Sequence, residues 1–232
     1  MKYLYLILHV FTISFPLVRS FEPRIEYAKK WSSLFPGIAI TGLFFIVWDV
    51  FFTRAGVWGF NPDYLTGIYL FSLPIEEILF FITVPFASVF IYECVLYFLP
   101  KIKNPKWLKW ISAVLAISLI TLSIIHHAQA YTFWNFLFTG IFLIIVAIKN
   151  PQWLGHFWIA YLLHLIPFFI VNGVLTGYGI EAPIVWYNNM ENLSLRLVTI
   201  PVEDTIYALL LLLMNVFFYE NFKARGKQNP ST

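Results

Sequence analysis

Two pairs of adjacent acidic residues interrupt apolar stretches of the chain. Residues 73–77 read LPIEE and residues 200–204 read IPVED, so a proline and two acids recur 127 positions later. Paired carboxyls suit general acid–base chemistry, in which one group donates a proton and another accepts it. An ionisable residue inside an apolar segment is by default a candidate functional residue. The candidate catalytic residues of these pairs are Glu76, Glu77, Glu203 and Asp204.

A fifth acid, Asp49, lies within the apolar stretch IVWDVFF. Carboxyls crowded at low dielectric repel one another's charge, so at least one is expected to keep its proton near neutral pH. Helix capping is the alternative for Glu76 and Glu77, since acids in a first turn suit the helix dipole. A cap explains one acid better than two, because adjacent helical residues point about 100° apart.

Composition decides what kind of element carries these acids. Hydrophobic residues make up 60% of the 232 residues and charged residues only 12%, about half the charged fraction of a soluble domain. There is too little polar material to cover a water-soluble domain of this length. The net charge of +3 gives no reason to expect a nucleic-acid partner. The sequence therefore predicts an integral membrane protein.

Seven apolar segments are long enough to be membrane-crossing helices, and none alternates as the strands of a membrane barrel do. The predicted fold is therefore all-α, a polytopic membrane protein with seven transmembrane helices. The segments cover residues 3–18, 34–53, 75–99, 109–126, 132–148, 154–175 and 200–219.

The distribution of basic residues predicts the orientation. With the N-terminus outside, 12 of the 15 Lys and Arg residues fall in cytoplasmic segments and 3 outside, as the positive-inside rule requires. The outer three are Lys2, Arg54 and Arg196, and the latter two are the bases nearest the acid pairs. A cleaved signal peptide over residues 1–20 is the alternative for the first segment. The basic cluster after that segment favours an uncleaved helix and a multi-pass protein of the cell membrane with a cytoplasmic C-terminus.

The recurring acids divide the chain into two related units. Phe60-Asn61 and Tyr187-Asn188 also correspond at the 127-residue spacing, while Asp49 has only Asn172 as a counterpart, and that match needs a gap. Both acid pairs begin helices that run inward, so the repeat is parallel and predicts a quasi-symmetric cavity near the outer leaflet. The predicted units are residues 1–99 and 128–220, joined by a connecting helix in 100–127 and followed by a cytoplasmic tail, 221–232.

These motifs closely resemble the flavin-independent, membrane-integral lycopene cyclases. The resemblance rests on WD at 48–49, GVWGFNP at 56–62, GIY at 67–69, and the two acid motifs. It covers residues 1–220 and implies a fused two-unit lycopene β-cyclase. The reaction it implies is an isomerisation, in which a protonated carboxyl starts ring closure at each ψ end of lycopene, giving γ-carotene and then β-carotene.

The resemblance also implies the surroundings of the acids. Aromatic faces stabilise a carbocation, and the chain offers aromatic residues and two repeat-related asparagines beside the motifs. The candidate substrate-binding residues are Trp48, Trp58, Phe60, Asn61, Tyr207 and Asn188. No cofactor and no metal are expected, because the chain has no dinucleotide-binding glycine motif and a single cysteine. The expected partners are membrane lipid, the polyene substrate and upstream enzymes of carotenoid synthesis.

A transporter that moves ions or protons past the paired carboxylates is the alternative function. Acid clusters in apolar helices suit such a path, and repeated units are common in transporters. Parallel repeats with so few helices suit alternating access less well.

Overall fold

The computed structural model describes residues 2–228 and consists mainly of seven α-helices. A bilayer offers no hydrogen-bond partners to the backbone, so long apolar segments satisfy their peptide groups as helices. The helices are α1 (Leu4–Arg19), α2 (Trp31–Ala55), α3 (Ile75–Phe98), α4 (Lys106–Ile125), α5 (Ala130–Lys149), α6 (Leu154–Leu175) and α7 (Val202–Gln228).

Each helix matches one of the predicted apolar segments, which confirms a helical membrane protein. Six helices, α2 to α7, are long and apolar enough to cross a membrane. Helix α1 has 16 residues and a length of about 24 Å, less than the roughly 30 Å of a bilayer core. Helix α7 continues into the segment predicted as a tail, whereas residues 229–232 lie outside the described part of the chain.

The helices pack as two similar triplets, α1–α3 and α5–α7, and the last helix of each triplet lies at the centre. Helices α3 and α7 meet in the middle; α1 packs on α3 as α5 packs on α7. Helices α2 and α6 each lie against both central helices, and α4 packs mainly on α5. The connection from α3 through α4 thus places the second triplet beside the first.

Short strands form a cap over one end of the bundle. Strand β1 (Trp58–Phe60) pairs antiparallel with β4 (Val185–Tyr187), so that Gly59 faces Trp186. Within each triplet a hairpin of two short strands, each of two residues, comes directly before the central helix. These hairpins are β2 (Tyr69–Leu70) with β3 (Leu73–Pro74), and β5 (Arg196–Leu197) with β6 (Ile200–Pro201).

The cap repeats the 127-residue spacing in its backbone hydrogen bonds. Asn61 N donates to Ile184 O over 2.8 Å, and Asn188 N donates to Val57 O over 2.9 Å. Each half therefore donates an equivalent backbone hydrogen bond to the other half. Gly59 allows this close approach, because a Cβ at that position would collide with the Trp186 indole.

The opposite end of the bundle contains a second reciprocal contact. Tyr219 OH donates to the buried Glu93 carboxylate over 2.6 Å, and Tyr92 OH donates to Glu220 over 2.9 Å. Tyr92-Glu93 and Tyr219-Glu220 are also 127 residues apart. The central helices α3 and α7 are thus joined by matched contacts at this end, as the cap segments are at the other.

Candidate active site

A small cavity of about 60 Å³ lies beneath the β1–β4 cap, between the two central helices. One acid from each half lines it, Glu77 on α3 and Asp204 on α7, and both side chains are buried. The rest of the wall is largely aromatic. The aromatic residues around these acids include Tyr5, Trp58, Phe60, Tyr131, Tyr187 and Tyr207.

The first acid of each pair points elsewhere. Glu76 Oε1 accepts a hydrogen bond from the backbone N–H of Thr66 over 2.6 Å. Glu203 Oε1 accepts the corresponding bond from Leu193 N–H over 2.7 Å and a second from the Thr132 hydroxyl. These carboxyls tie the loop before each central helix to its first turn. The two acids of a motif thus separate into a loop contact and a cavity-facing group.

The cavity acid of the first half has few hydrogen-bond donors and an acidic neighbour. Tyr5 OH donates to Glu77 Oε2 over 2.6 Å, and the charge of Asp49 acts directly on Glu77. Asp49 accepts from the Trp58 indole N–H and from the Thr53 hydroxyl, while its Oδ2 has no partner among the described atoms. Asp49 therefore lies behind Trp58, next to the cavity but outside its wall.

The cavity acid of the second half has three donors. Asp204 accepts from Tyr131 OH over 2.6 Å, from Asn172 Nδ2 over 2.8 Å and from Tyr187 OH over 3.0 Å. Burial, reinforced by the Asp204 charge, raises the pKa of the Tyr187 phenol well above its usual value. Tyr187 consequently stays a hydrogen-bond donor at neutral pH.

Arg54 and Arg196 do not neutralise these acids. Arg54 donates to the Ser72 hydroxyl over 3.2 Å, and Arg196 donates to the Asn189 side chain over 2.5 Å. The Arg196 guanidinium lies over the Tyr187 ring, 5.4 Å from its centre. Within residues 2–228 neither arginine forms an ion pair with a carboxylate.

The predicted substrate-binding residues fall into two groups. Trp58, Phe60 and Tyr207 line the cavity. Trp48 lies behind Tyr207, with ring centres 5.3 Å apart, and is outside the wall. The side chains of Asn61 and Asn188 accept hydrogen bonds from backbone N–H groups two residues later, Asp63 N and Met190 N. Both asparagines therefore stabilise turns of the cap, and the structure does not bring them to the cavity.

Four polar residues that donate hydrogen bonds to the cavity acids were not among the sequence candidates. They are Tyr5, Tyr131, Asn172 and Tyr187. Tyr5 and Tyr131 are 126 residues apart and make the same contact with the cavity acid of their own half. This correspondence is a sequence signal, but in a chain that is 20% aromatic it does not stand out. Asn172 was recognised only as the counterpart of Asp49.

An apolar groove of about 520 Å³ adjoins the cavity, lies between α1 and α6 and runs over α3. The groove and the cavity share seven lining residues, among them Ser88 and His164, which are hydrogen bonded over 3.0 Å. The shared residues are Phe80, Val84, Ser88, His164, Phe168, Asn172 and Leu175. The groove therefore lies directly beside the cavity that holds the acids, with these seven side chains as their common wall.

Comparison with known protein families gives one match, the lycopene cyclase family, over residues 2–95 and 128–222. The two matched regions are the two triplets, and α4 lies between them. No curated protein and no solved structure matches the chain. The match confirms the resemblance seen in the motifs and gives the transporter alternative no support. This membrane protein, with its acids enclosed between two repeated halves, belongs to the lycopene cyclase family.

Proposed function

We propose that this chain is a lycopene β-cyclase, which closes the ψ ends of lycopene to β-ionone rings within the membrane. The observation that carries the proposal is the meeting of Glu77 and Asp204, one from each half, in a single aromatic cavity. The reaction is an isomerisation without net redox change. It gives γ-carotene after one end has closed and β-carotene after both.

Glu77 is the proposed proton donor, acting with Asp49. Two neighbouring carboxyls in an apolar site cannot both ionise without strong repulsion, so the pair favours keeping one proton. Only Tyr5 donates to Glu77, which leaves the other oxygen free to face the cavity. The proton adds to the terminal double bond of the substrate and leaves a tertiary carbocation.

Asp204 is the proposed acceptor. Three donated hydrogen bonds stabilise its ionised form relative to that of Glu77. Once the neighbouring double bond has attacked the cation and closed the ring, the cation lies on a ring carbon. Loss of a proton to a carboxylate then sets the ring double bond, so one proton enters and one leaves. A preorganised carboxylate also stabilises the cation before that step.

The aromatic wall supplies the remaining stabilisation. Trp58 and Tyr207 present ring systems to the cavity, and their ring centres are 6.3 Å apart. The negative face of an aromatic ring attracts a cation, and the attraction is about 2 kcal/mol or more where water is absent. Phe60 extends this surface next to strand β4.

The proposed topology has seven spans, with the N-terminus outside and the C-terminus in the cytoplasm of a cell-membrane protein. Its support is the 12:3 partition of basic residues and the position of α1. Helix α1 packs along α3 and supplies Tyr5 to Glu77. A chain without this helix would lack a contact of the site. Lipid and upstream carotenoid enzymes remain the proposed partners.

The proposal is tested by expressing the chain in cells that accumulate lycopene and separating the pigments by HPLC. The expected products are γ-carotene and β-carotene, with the mass of lycopene. The matched control is the double variant Glu77→Gln, Asp204→Asn, inserted in the membrane to the same level. Unchanged lycopene with well-inserted wild-type protein would refute the proposal, and products with ε rings would correct it.

A further inference from the structure

The groove beside the cavity has dimensions that suit a long hydrocarbon. On α3 it extends from Phe80 to Leu99, which corresponds to about 28 Å along the helix. Its rim includes Phe11, Phe15 and Phe98, all more than 60% exposed. In a bilayer such a rim faces lipid, so a chain dissolved in the membrane can reach the groove sideways.

The repeat predicts an equivalent groove in the second half, between α5 and α2 over α7. The correspondence follows from three residue pairs that occupy like positions. Tyr5 matches Tyr131, Glu77 matches Asp204, and Asn172 matches Asp49. Carrying these spacings along the helices assigns each groove residue a partner in the other half.

Small groove residues have large partners in the second half. Thr12 corresponds to Phe138 and Ala87 to Met214. Pro167 corresponds to Phe44 and Val171 to Trp48. At each of these positions the second half has the larger side chain, where the first half has a small side chain lining its groove.

These large side chains fill the space in the second half. The Phe138 ring centre is 5.4 Å from that of Phe44 and 5.2 Å from that of Trp48, so aromatic rings bridge α5 and α2. Phe142 and Phe217 close the gap further along, with ring centres 5.4 Å apart. Met214 is buried in the same cluster. The two halves are therefore alike in backbone and different in the space they leave.

We propose that the groove between α1 and α6 binds the unreacted length of the linear polyene and that it is the only such channel to the acids in residues 2–228. This inference rests on the proposed cyclase function. The occupant follows from adjacency, because the groove shares seven lining residues with the cavity where one end of the polyene reacts. One channel admits one end at a time. The two ends of a substrate then react in separate binding events, with the one-ring product released between them.

The groove is tested by narrowing it far from the acids. Cys94→Trp places an indole 17 residues along α3 from Glu77, about 26 Å away. Thr12→Phe gives the first half the residue that fills the second. Ile148→Trp, on a side chain that is 73% exposed on α5, is the matched control. Each variant is assayed in membranes with lycopene and with a half-length polyene that carries a single ψ end.

The expected result is a loss of about tenfold or more in kcat/KM for lycopene in both groove variants. In Cys94→Trp, turnover of the half-length polyene should stay within about twofold of wild type, because this substrate is too short to reach residue 94. Normal turnover of the short substrate also shows that the site is intact. Unchanged lycopene turnover in both variants, or an equal loss with both substrates in Cys94→Trp, would overturn the groove assignment.

The single channel is tested by following the two ring closures separately. The groove variants should lower conversion of lycopene and conversion of added γ-carotene by the same factor. Isotope-labelled γ-carotene, added during turnover of unlabelled lycopene, should appear in the β-carotene product. A variant that blocks one closure and spares the other would overturn the single channel, as would exclusion of the added label. Failure of the cyclase function itself would differ from both, since no ring would form with any substrate.

Discussion

The two halves of this protein share their framework and differ in their side chains. Three features recur 127 residues apart. They are the cap bonds, the loop contacts of Glu76 and Glu203, and a left-handed backbone conformation at Gly67 and Ser194. Around the cavity the halves diverge. Glu77 has an acidic neighbour and one donor, whereas Asp204 has three donors. A duplicated scaffold can thus present two acids at like positions and surround them with different numbers of hydrogen-bond donors.

The end of the bundle opposite the cap offers the largest expected effect on stability. Glu93 is buried and binds both Lys30 and Lys223, whereas its counterpart Glu220 is partly exposed. Removing one partner of a buried ion pair costs about 3–5 kcal/mol, so Glu93→Ala should lower the melting temperature in detergent strongly. Glu220→Ala should cost about 1 kcal/mol or less. Equal losses in the two variants would show that the halves are equivalent at this end.

The donor set of Asp204 offers the largest effect on rate short of removing an acid. Asn172→Asp replaces a donor by a carboxyl and gives the second half the arrangement of the first. Repulsion should then keep a proton on this pair, and we expect turnover to fall about 100-fold, or about 2.7 kcal/mol. Asn172→Ala removes the donor without adding charge and should cost about tenfold. Initial rates of lycopene conversion measure both, and a harmless Asn172→Asp would contradict the assignment of Asp204 as base.

Loss of the Tyr187 hydroxyl should cost less than Asn172→Asp, because it removes one donor of three and adds no charge. Tyr187→Phe makes the second half resemble the first, where Phe60 is the counterpart. A hydrogen bond to a charged group is worth about 1.5–3 kcal/mol, so turnover should fall by about tenfold at the lower limit. The free energy of unfolding should change little. A large loss of stability with unchanged turnover per folded molecule would assign Tyr187 to the cap alone.

The smallest expected effect lies in the turn before each hairpin. Gly67 has φ +88° and Ser194, its counterpart, φ +57°. A side chain in the left-handed region costs about 1–2 kcal/mol, so Gly67→Ala should lower the free energy of unfolding by about that amount. Ser194→Gly should change it by less, since relief of strain is offset by loss of the serine contact with Asn189. Thermal unfolding of both variants measures these changes, and the activity of both should equal that of the wild type.

Much of the fold could be predicted from sequence because bilayer insertion depends on local apolar runs. All seven helices lie where such runs occur, and the recurrence of LPIEE as IPVED indicated two related units. The site was less accessible. Which acid of each pair faces the cavity depends on the backbone N–H groups of Thr66 and Leu193, which lie ten residues upstream.

The difference between the halves could not be predicted for a related reason. Trp48, Asn61 and Asn188 occur beside the motifs in sequence, but packing and turn formation use their side chains. Tyr131 and Asn172 reach Asp204 from separate helices. Sequence proximity identifies neighbours along a helix, whereas the cavity is assembled from elements that are distant in the chain.

We propose that the second acid of each motif does the chemistry, whereas the first acid ties a loop to the central helix. This claim is tested most directly by the rates of lycopene conversion in four variants, Glu77→Gln, Asp204→Asn, Glu76→Gln and Glu203→Gln, each normalised to inserted protein. The first two should lose about 10²–10⁴-fold, as expected for loss of a general acid or base. The last two should keep turnover within about tenfold of wild type and lose stability. Full activity in Glu77→Gln or Asp204→Asn, or inactive but stable Glu76→Gln and Glu203→Gln, would contradict the account.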